Sequence, residues 1–368
     1  MRVGFLAAEW QHNNGWAHYS TSLIQALQRQ GIETQIITPR NTPLTELQSL
    51  HPLLPTVTPP DKHTLAQMAV QFSRIRSLLA DCDIVHCTVE IYAPLAAAIA
   101  TKRPLFTTIH GSYAHLPRIR RFPINRLYQW AFRQATLLCV SHYTEKVIQK
   151  IVPDSRTIVV NNGIDIERFA HLPVLENPPT RPTVITSGGV KARKGTLELV
   201  KAMAKVRGVL PDVQCIVMGS TSAEAHYVAT VQQTIAELDL GDCVRLLGFV
   251  DENTLLAWYG AADVFVLPSM NNTWKFEGFG LATLEASAAG LPVIGTADCG
   301  AEDAIDHNRT GLLVNQANID DELPQAIIHL LTDTADAKKM GQAGKEKAAN
   351  QTWDFVADQM ISVYKTQN

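Results

Sequence analysis

Short apolar runs alternate with segments of helical periodicity along this chain, and the alternation occurs twice, on either side of a proline-rich stretch. In the first half the runs fall at 2–7, 33–38, 84–87, 105–109, 137–140 and 157–160, with helical stretches at 17–30, closed by Gly31, and at 65–80. In the second they fall at 183–186, 214–218, 245–247, 264–267 and 293–295, separated by helices at 196–206, 223–238 and 253–259. Strand–helix alternation of this kind predicts an α/β fold, a parallel sheet with right-handed crossovers in each half. Residues 171–182 carry four prolines and read as a linker. The expectation is two doubly wound domains, 1–170 and 183–352. Ligands of such sheets bind beyond the carboxyl ends of the strands, so a cleft between the domains is expected. A last amphipathic helix, following Trp353-Asp354-Phe355 and running to Tyr364, is expected to cross back, adding 353–368 to the first domain.

Composition narrows the class. A net charge of -3 gives no case for nucleic acid as a partner. The segment MRVGFLAAEW reads as a first strand, too short in its apolar run for a signal peptide. No run approaches the roughly 18 apolar residues of a spanning helix. The six cysteines show no CxxC spacing and mostly lie in or beside apolar runs, which predicts buried, reduced thiols in a cytoplasmic protein and no zinc site.

Four loops at strand ends are suited to chemistry. The first, Trp10-Gln11-His12-Asn13-Asn14-Gly15, is polar and ends in a glycine that permits close backbone approach. The second ends the run 105–109 with His110; a single histidine is more often structural than catalytic, and its place at a strand end is what makes it a candidate. The third, Ser187-Gly188-Gly189-Val190-Lys191-Ala192-Arg193-Lys194-Gly195, places three glycines and three cations ahead of a helix. Amides for geometry and cations for charge suit a diphosphate. The loop is neither GxxxxGK[ST] nor GxGxxG, so a nicotinamide dinucleotide is disfavoured.

The fourth loop is EGFGLATLEASAAGLPVIGT, from Glu277. A strand, the turn Gly278-Phe279-Gly280 and a helix over 281–289 expose backbone N–H groups to an anion. Glu277 precedes that helix, and Glu285 lies roughly 1.5 turns into it, about 6–9 Å along the axis. Carboxylates on either side of a bound phosphate would accept hydrogen bonds from the hydroxyls of a nucleotide sugar. The spacing alone fits equally an acid favoured by the helix dipole and a second acid on a solvated face.

Charge is segregated in the first half. Residues 91–144 contain no Asp or Glu but seven cations, among them Arg118, Arg120, Arg121, Arg126 and Arg133. These interleave with Leu116, Ile119, Phe122, Leu127, Trp130 and Phe132. The pattern suits an anionic membrane surface or an acidic acceptor, and equally a core-facing helix with a basic outer face.

Together these segments resemble the retaining GT-B glycosyltransferases of family 4, which use nucleotide sugars. The resemblance spans nearly the whole chain. It rests on Val160-Asn161-Asn162-Gly163-Ile164-Asp165 with Phe169, the loop to Lys194-Gly195, Leu247-Gly248-Phe249-Val250, Ala262-Asp263-Val264-Phe265-Val266-Leu267-Pro268-Ser269, the two-glutamate segment, Gly290-Leu291-Pro292-Val293-Ile294 and Thr310-Gly311-Leu312-Leu313-Val314. It implies two Rossmann-like domains facing a central cleft and transfer of a hexose from a nucleoside-diphosphate sugar to a hydroxyl acceptor, with the anomeric configuration retained.

By the same resemblance, Glu277 meets the donor sugar hydroxyls and Glu285 the ribose. The amides of Phe279, Gly280 and Leu281 meet sugar and phosphates, and Lys194 neutralises the leaving diphosphate. Phe249 and Val250 lie beside the base, His110 near the donor sugar, and Gly15 in the loop that closes on the phosphates. The family's usual arginine, five residues before the lysine, is Gly189 here, so Lys191 or Arg193 would supply the second charge. The usual Gly-Gly pair of the first loop is Asn14-Gly15. The resemblance implies no cofactor and no metal, and an acceptor that is a glycan, a small molecule or lipid-linked; peripheral membrane contact through 118–133 is an expectation of the basic pattern alone. The rivals are another GT-B enzyme, such as a nucleotide-sugar epimerase or a phosphorylase, and a non-catalytic nucleotide-sugar-binding protein.

Overall fold

The structure, a computed structural model, describes residues 1–10, 14–43 and 49–366. Gln11, His12 and Asn13 of the first loop therefore lie outside the described residues. The chain divides into two compact units, Met1–Gly163 with Trp353–Asn368, and Ile164–Thr352.

In the first unit the elements run β1 (Arg2–Leu6), α1 (Gly15–Arg29), β2 (Glu33–Pro39), β3 (Leu50–Leu54), α2 (Lys62–Leu78), β4 (Ile84–Cys87), α3 (Ala93–Ala100), β5 (Leu105–Ile109), α4 (Leu116–Ile119), α5 (Ile124–Gln134), β6 (Thr136–Cys139), α6 (His142–Ile151) and β7 (Arg156–Val159). Among the described residues the strands form one parallel sheet in the order β3-β2-β1-β4-β5-β6-β7. Strands β1, β4, β5 and β6 are buried nearly throughout because helices cover both faces. Helix α1 starts where the Asn14 side chain accepts from the amides of Trp16 and Ala17, satisfying two donors that a helix start leaves open.

The second unit runs β8 (Thr183–Ser187), α7 (Thr196–Val209), β9 (Gln214–Met218), α8 (Ala225–Glu237), β10 (Val244–Gly248), α9 (Glu252–Ala261), β11 (Val264–Leu267), α10 (Leu281–Ala288), β12 (Val293–Thr296), α11 (Ala301–Ala304), β13 (Gly311–Val314), α12 (Ile319–Thr332) and α13 (Thr334–Ala349). Its strands, again parallel, follow the order β10-β9-β8-β11-β12-β13. In both sheets the order reverses beside the first strand: between β1 and β4, and between β8 and β11. Loops leaving two neighbouring strands at such a point diverge and open a crevice at the strands' carboxyl ends.

The final helix, α14 (Trp353–Lys365), belongs to the first unit. It packs on α1, where Arg29 pairs with Asp354 at 2.7 Å and Gln30 donates to the Asp354 carbonyl at 2.9 Å. Its Val356, Met360 and Tyr364 are fully buried. The boundary between units falls at Gly163/Ile164, not in the proline-rich stretch 171–182. Ile164 bridges Thr352, and residues from Ile164 onward are tied to the second unit before any proline is reached. No helix among the described residues is long and apolar enough to cross a membrane.

Candidate active site

The second unit's reversal point sets the site's geometry. Strands β8 and β11 are hydrogen-bonded neighbours, pairing Val264 with Val184 and Phe265 with Ile185. Their following loops therefore emerge side by side: the glycine–cation loop 188–195 from β8, and the segment that carries Glu277 from β11. Two glycines shape the first loop. Gly195 has φ +68° and caps α7, and a Cβ there would lie 1.7 Å from the Pro268 carbonyl oxygen, so the two loops touch backbone to backbone. Gly189 has φ +87°, a conformation that an arginine rarely adopts.

Glu277 is the focus of this crevice. Its Oε2 accepts from Arg193 Nη1 at 2.6 Å, from Lys194 Nζ at 2.8 Å and from the Ser269 hydroxyl at 3.1 Å. Only 9% of the Glu277 side chain is exposed, against 12% for Lys194 and 23% for Arg193. Burial opposes a charge on Glu277, but Arg193 and Lys194, with the bonds from Lys194 and Ser269, overcome it and hold the carboxyl at about 2. Burial also pulls Lys194 below its usual range, although Glu277 holds it up. All three bonds fall on one oxygen, which leaves Oε1 its lone pairs. Arg193, not Lys191, bonds Glu277 beside Lys194, while the charge of Lys191 acts on Lys194 without a bond to the carboxylate.

Helix α10 begins directly after. Gly280 caps it with φ +87°, and the amides of Leu281 and Ala282 occupy a first turn that has no intrahelical acceptors. Phe279 is buried beneath the turn. The backbone is fixed from below by the Gly300 amide, which donates to the Glu277 carbonyl at 2.8 Å.

Glu285 does not lie on a solvated face; its side chain is 20% exposed. Oε1 accepts from Arg168 Nη1 at 3.3 Å and Oε2 from the Tyr259 hydroxyl at 3.3 Å. Burial pushes this carboxyl up, with Arg168 and the Tyr259 bond opposing. At the end of β10, Phe249 is 85% exposed and Val250 half-buried.

The first unit holds His110 at the end of β5. Its Nε2 lies 2.8 Å from the Thr88 carbonyl. A carbonyl only accepts, so Nε2 carries the proton and Nδ1 is the acceptor. Burial pulls the imidazole down to about 4, against the Thr88 bond, so the ring is neutral at pH 7. Tyr19 packs edge-on against it, with centroids 4.6 Å apart. The His110 amide donates to Glu90 Oε1 at 2.7 Å. Glu90 is fully buried, its Oε2 has no hydrogen-bond partner among the described residues, and burial pushes its carboxyl up to about 7 against the amides of Glu90, His110 and Gly111. Gly15 opens α1, and no atom of the described residues lies within 4 Å of where a Cβ would stand.

Residues 167–347 match the family described as glycosyl transferases group 1, and residues 13–168 match glycosyltransferase family 4. A GDP-mannose-dependent alpha-(1-6)-phosphatidylinositol monomannoside mannosyltransferase of Mycobacterium tuberculosis is 30% identical over 303 residues, covering 77% of this chain and 76% of that protein. The chain belongs to the glycosyl transferases group 1 family. As a glycosyltransferase it moves a sugar from a nucleotide sugar to an acceptor. Its fold is GT-B. A sucrose-phosphate synthase from Thermosynechococcus elongatus superposes with a TM-score of 0.81 at 23% identity, over 99% of this chain and 98% of that one. Anabaena HepE, solved with UDP and glucose, gives 0.78 at 18% identity over the full length of both.

In this glycosyltransferase, sequence reasoning did not single out Arg168, Tyr259 or Glu90, and it gave Ser269 no role. Arg168 immediately precedes Phe169, but nothing in its spacing points to Glu285, 117 residues away. Glu90 was within reach: it stands immediately before the acid-free stretch that begins at residue 91.

Proposed function

We propose that this glycosyltransferase transfers a hexose, with retention of configuration and without a metal, from a nucleoside-diphosphate sugar to a hydroxyl acceptor. The observation that carries the reading is the convergence of Arg193 and Lys194 on Glu277 at the start of α10. Two cations and a helix N-terminus in a buried crevice supply the stabilisation that a departing diphosphate requires, in the place where other enzymes use a divalent ion. Glu277 Oε1 accepts hydroxyls of the donor sugar. Phe249 offers an exposed ring to the base, and Glu285 accepts from the ribose. His110, a neutral acceptor at Nδ1, is assigned to the donor sugar by the family resemblance.

In the transfer, the bond from the anomeric carbon to the β-phosphate oxygen breaks and a bond to the acceptor oxygen forms on the same face. The acceptor proton passes to the departing phosphate oxygen, whose charge Lys194 and Arg193 offset. GDP-mannose is the donor of first choice, supported by the name of the 30% identical mycobacterial relative. That name, with its phosphatidylinositol acceptor, also supports an acceptor carried on an anionic lipid.

The basic stretch fits such a surface in part. Leu116 and Phe132 are core residues and Leu127 is partly buried, which accounts for three of the six apolar positions. Ile119, Phe122 and Trp130 are 37%, 80% and 41% exposed, beside exposed Arg118, Arg121 and Arg126. This face is proposed to touch the membrane.

The deciding experiment incubates the protein with GDP-mannose and a panel of UDP- and GDP-sugars, with and without EDTA, and reads the anomeric configuration of the product by NMR. Retention with turnover unaffected by EDTA is expected. Inversion, or activity abolished by EDTA and restored by a divalent ion, refutes the mechanism.

A further inference from the structure

Glu285 is a long side chain on a helix, and a free glutamate would sample several rotamers. Here both of its oxygens are held. Arg168 takes Oε1 and Tyr259 takes Oε2, so the plane of the carboxylate is fixed. The holders are themselves built in. Arg168 Nε is anchored by Glu252 Oε1 at 2.8 Å, and its guanidinium lies 5.4 Å from the Phe169 ring centroid. The Tyr259 hydroxyl is also shared with Ser187 at 3.0 Å, and its ring is fully buried against Phe169 and Phe265. Each carboxylate oxygen has two acceptor positions, and one on each is used. What remains is one lone pair per oxygen in a fixed plane, a match for two vicinal hydroxyls.

We propose that Arg168 and Tyr259 are positioning residues for the donor's ribose: they hold Glu285 so that it selects a nucleotide carrying vicinal 2′- and 3′-hydroxyls. The inference rests on the reading that Glu285 meets the ribose and goes beyond it, assigning the selectivity to a pair of residues outside the contact.

The electrostatics give this role a signature. The groups facing Glu285 are Arg168 from the segment 166–169 and Tyr259 and Glu252 from α9; burial and Glu252 raise its carboxyl, and Arg168 is the cation that opposes them. Removing Arg168 therefore moves the carboxyl further up. A protonated Glu285 loses acceptor capacity, so ribose selection in an Arg168→Gln variant fails as pH falls and returns as pH rises.

The test is calorimetric. Whichever of GDP or UDP binds more tightly is titrated, with its 2′,3′-dideoxy counterpart, into the wild type, Glu285→Gln, Arg168→Gln and Tyr259→Phe between pH 6 and 8. The wild type is expected to prefer the ribonucleotide about tenfold or more, as for bonds to a charged acceptor. Glu285→Gln should erase the preference. Arg168→Gln should reduce it, more at the acid end of the range than at the alkaline end, while its affinity for the dideoxy nucleotide stays near the wild-type value. Tyr259→Phe, should the arginine variant not fold, should lower the preference without the pH dependence. If Glu285→Gln loses the preference while Arg168→Gln and Tyr259→Phe keep it in full, the positioning role is overturned and the ribose reading stands. If Glu285→Gln keeps it, the ribose reading falls, and the inference with it.

Discussion

Glu277→Gln isolates the charge at the centre of the crevice, because it keeps the side chain's shape and one oxygen. In the folded protein the carboxyl lies at about 2, against an ordinary 4.5. That is roughly 2.5 in pKa, at about 1.4 kcal/mol each, so about 3 kcal/mol favours the ionised form. The side chain is almost wholly buried, so solvent screening does not reduce the figure. The amide forfeits that stabilisation and leaves Arg193 and Lys194 adjacent without an anion.

At pH 7 the variant should therefore lose roughly 3 kcal/mol, a fall in melting temperature on the order of 6–12 °C for a unit of this size. The pH dependence has a definite sign. Because the folded pKa lies below the unfolded one, the stabilisation is present above about pH 4.5 and disappears as pH falls towards 2, where wild type and variant should converge. Turnover should drop by about 10²–10³, the range found when a preorganised polar group is removed from a transition state. Nucleoside-diphosphate affinity should hold or improve, since both cations are freed for the phosphates. Thermal unfolding across pH, steady-state rates and calorimetry read the three quantities. Equal melting temperatures between pH 5 and 8 would refute the electrostatic argument, and near-normal turnover would refute the role in holding the sugar.

Two further expectations concern the first unit. Glu90 is pushed up to about 7, above an ordinary 4.5, so its ionisation costs folding stability as pH rises through that window. Glu90→Gln should therefore be more stable than the wild type at pH 8, by up to roughly 3 kcal/mol, and equal to it near pH 4.5; a variant less stable at pH 8 contradicts the reasoning. In flotation assays the protein should rise with vesicles containing anionic phosphatidylglycerol and stay down with neutral ones, and Phe122→Ser with Trp130→Ser should weaken the association. Equal behaviour with both vesicle types removes the membrane contact.

What the sequence disclosed follows from how local each signal is. Strands β4, β5, β9 and β11 lie at the expected residues, because a short apolar run between turn signals is complete in itself. Strand β3 escaped notice because Pro52 and His51 interrupt it, which is tolerable at a sheet edge. Helix α3 did so because APLAAAIA is buried nearly all round and carries no amphipathic period. In the site, Glu277 and Lys194 were legible as chemistry on loops. That Arg193 and not Lys191 joins them depends on the turn from Gly188 to Gly195, which residue types do not report. Arg168 acts through a tertiary neighbour 117 residues away, and no local pattern marks it; Glu90 stands at the edge of the acid-free stretch, but its contact with the His110 amide, 20 residues on, is tertiary.

The placement of α14 has a consequence for synthesis. The first unit is discontinuous in the chain: Tyr364 closes a buried bond to His86 at 2.6 Å, and Trp353 packs edge-on against Tyr19. A ribosome adds about 5–20 residues per second, so the whole second unit is made, over some ten seconds or more, before these partners exist. During that interval the emerged first sheet lacks a covering helix over α1, while the second unit already holds every strand of its own sheet. The unit translated first is thus the unit that finishes last, and the nascent chain's exposure to chaperones and proteases is concentrated on the face that α14 will cover.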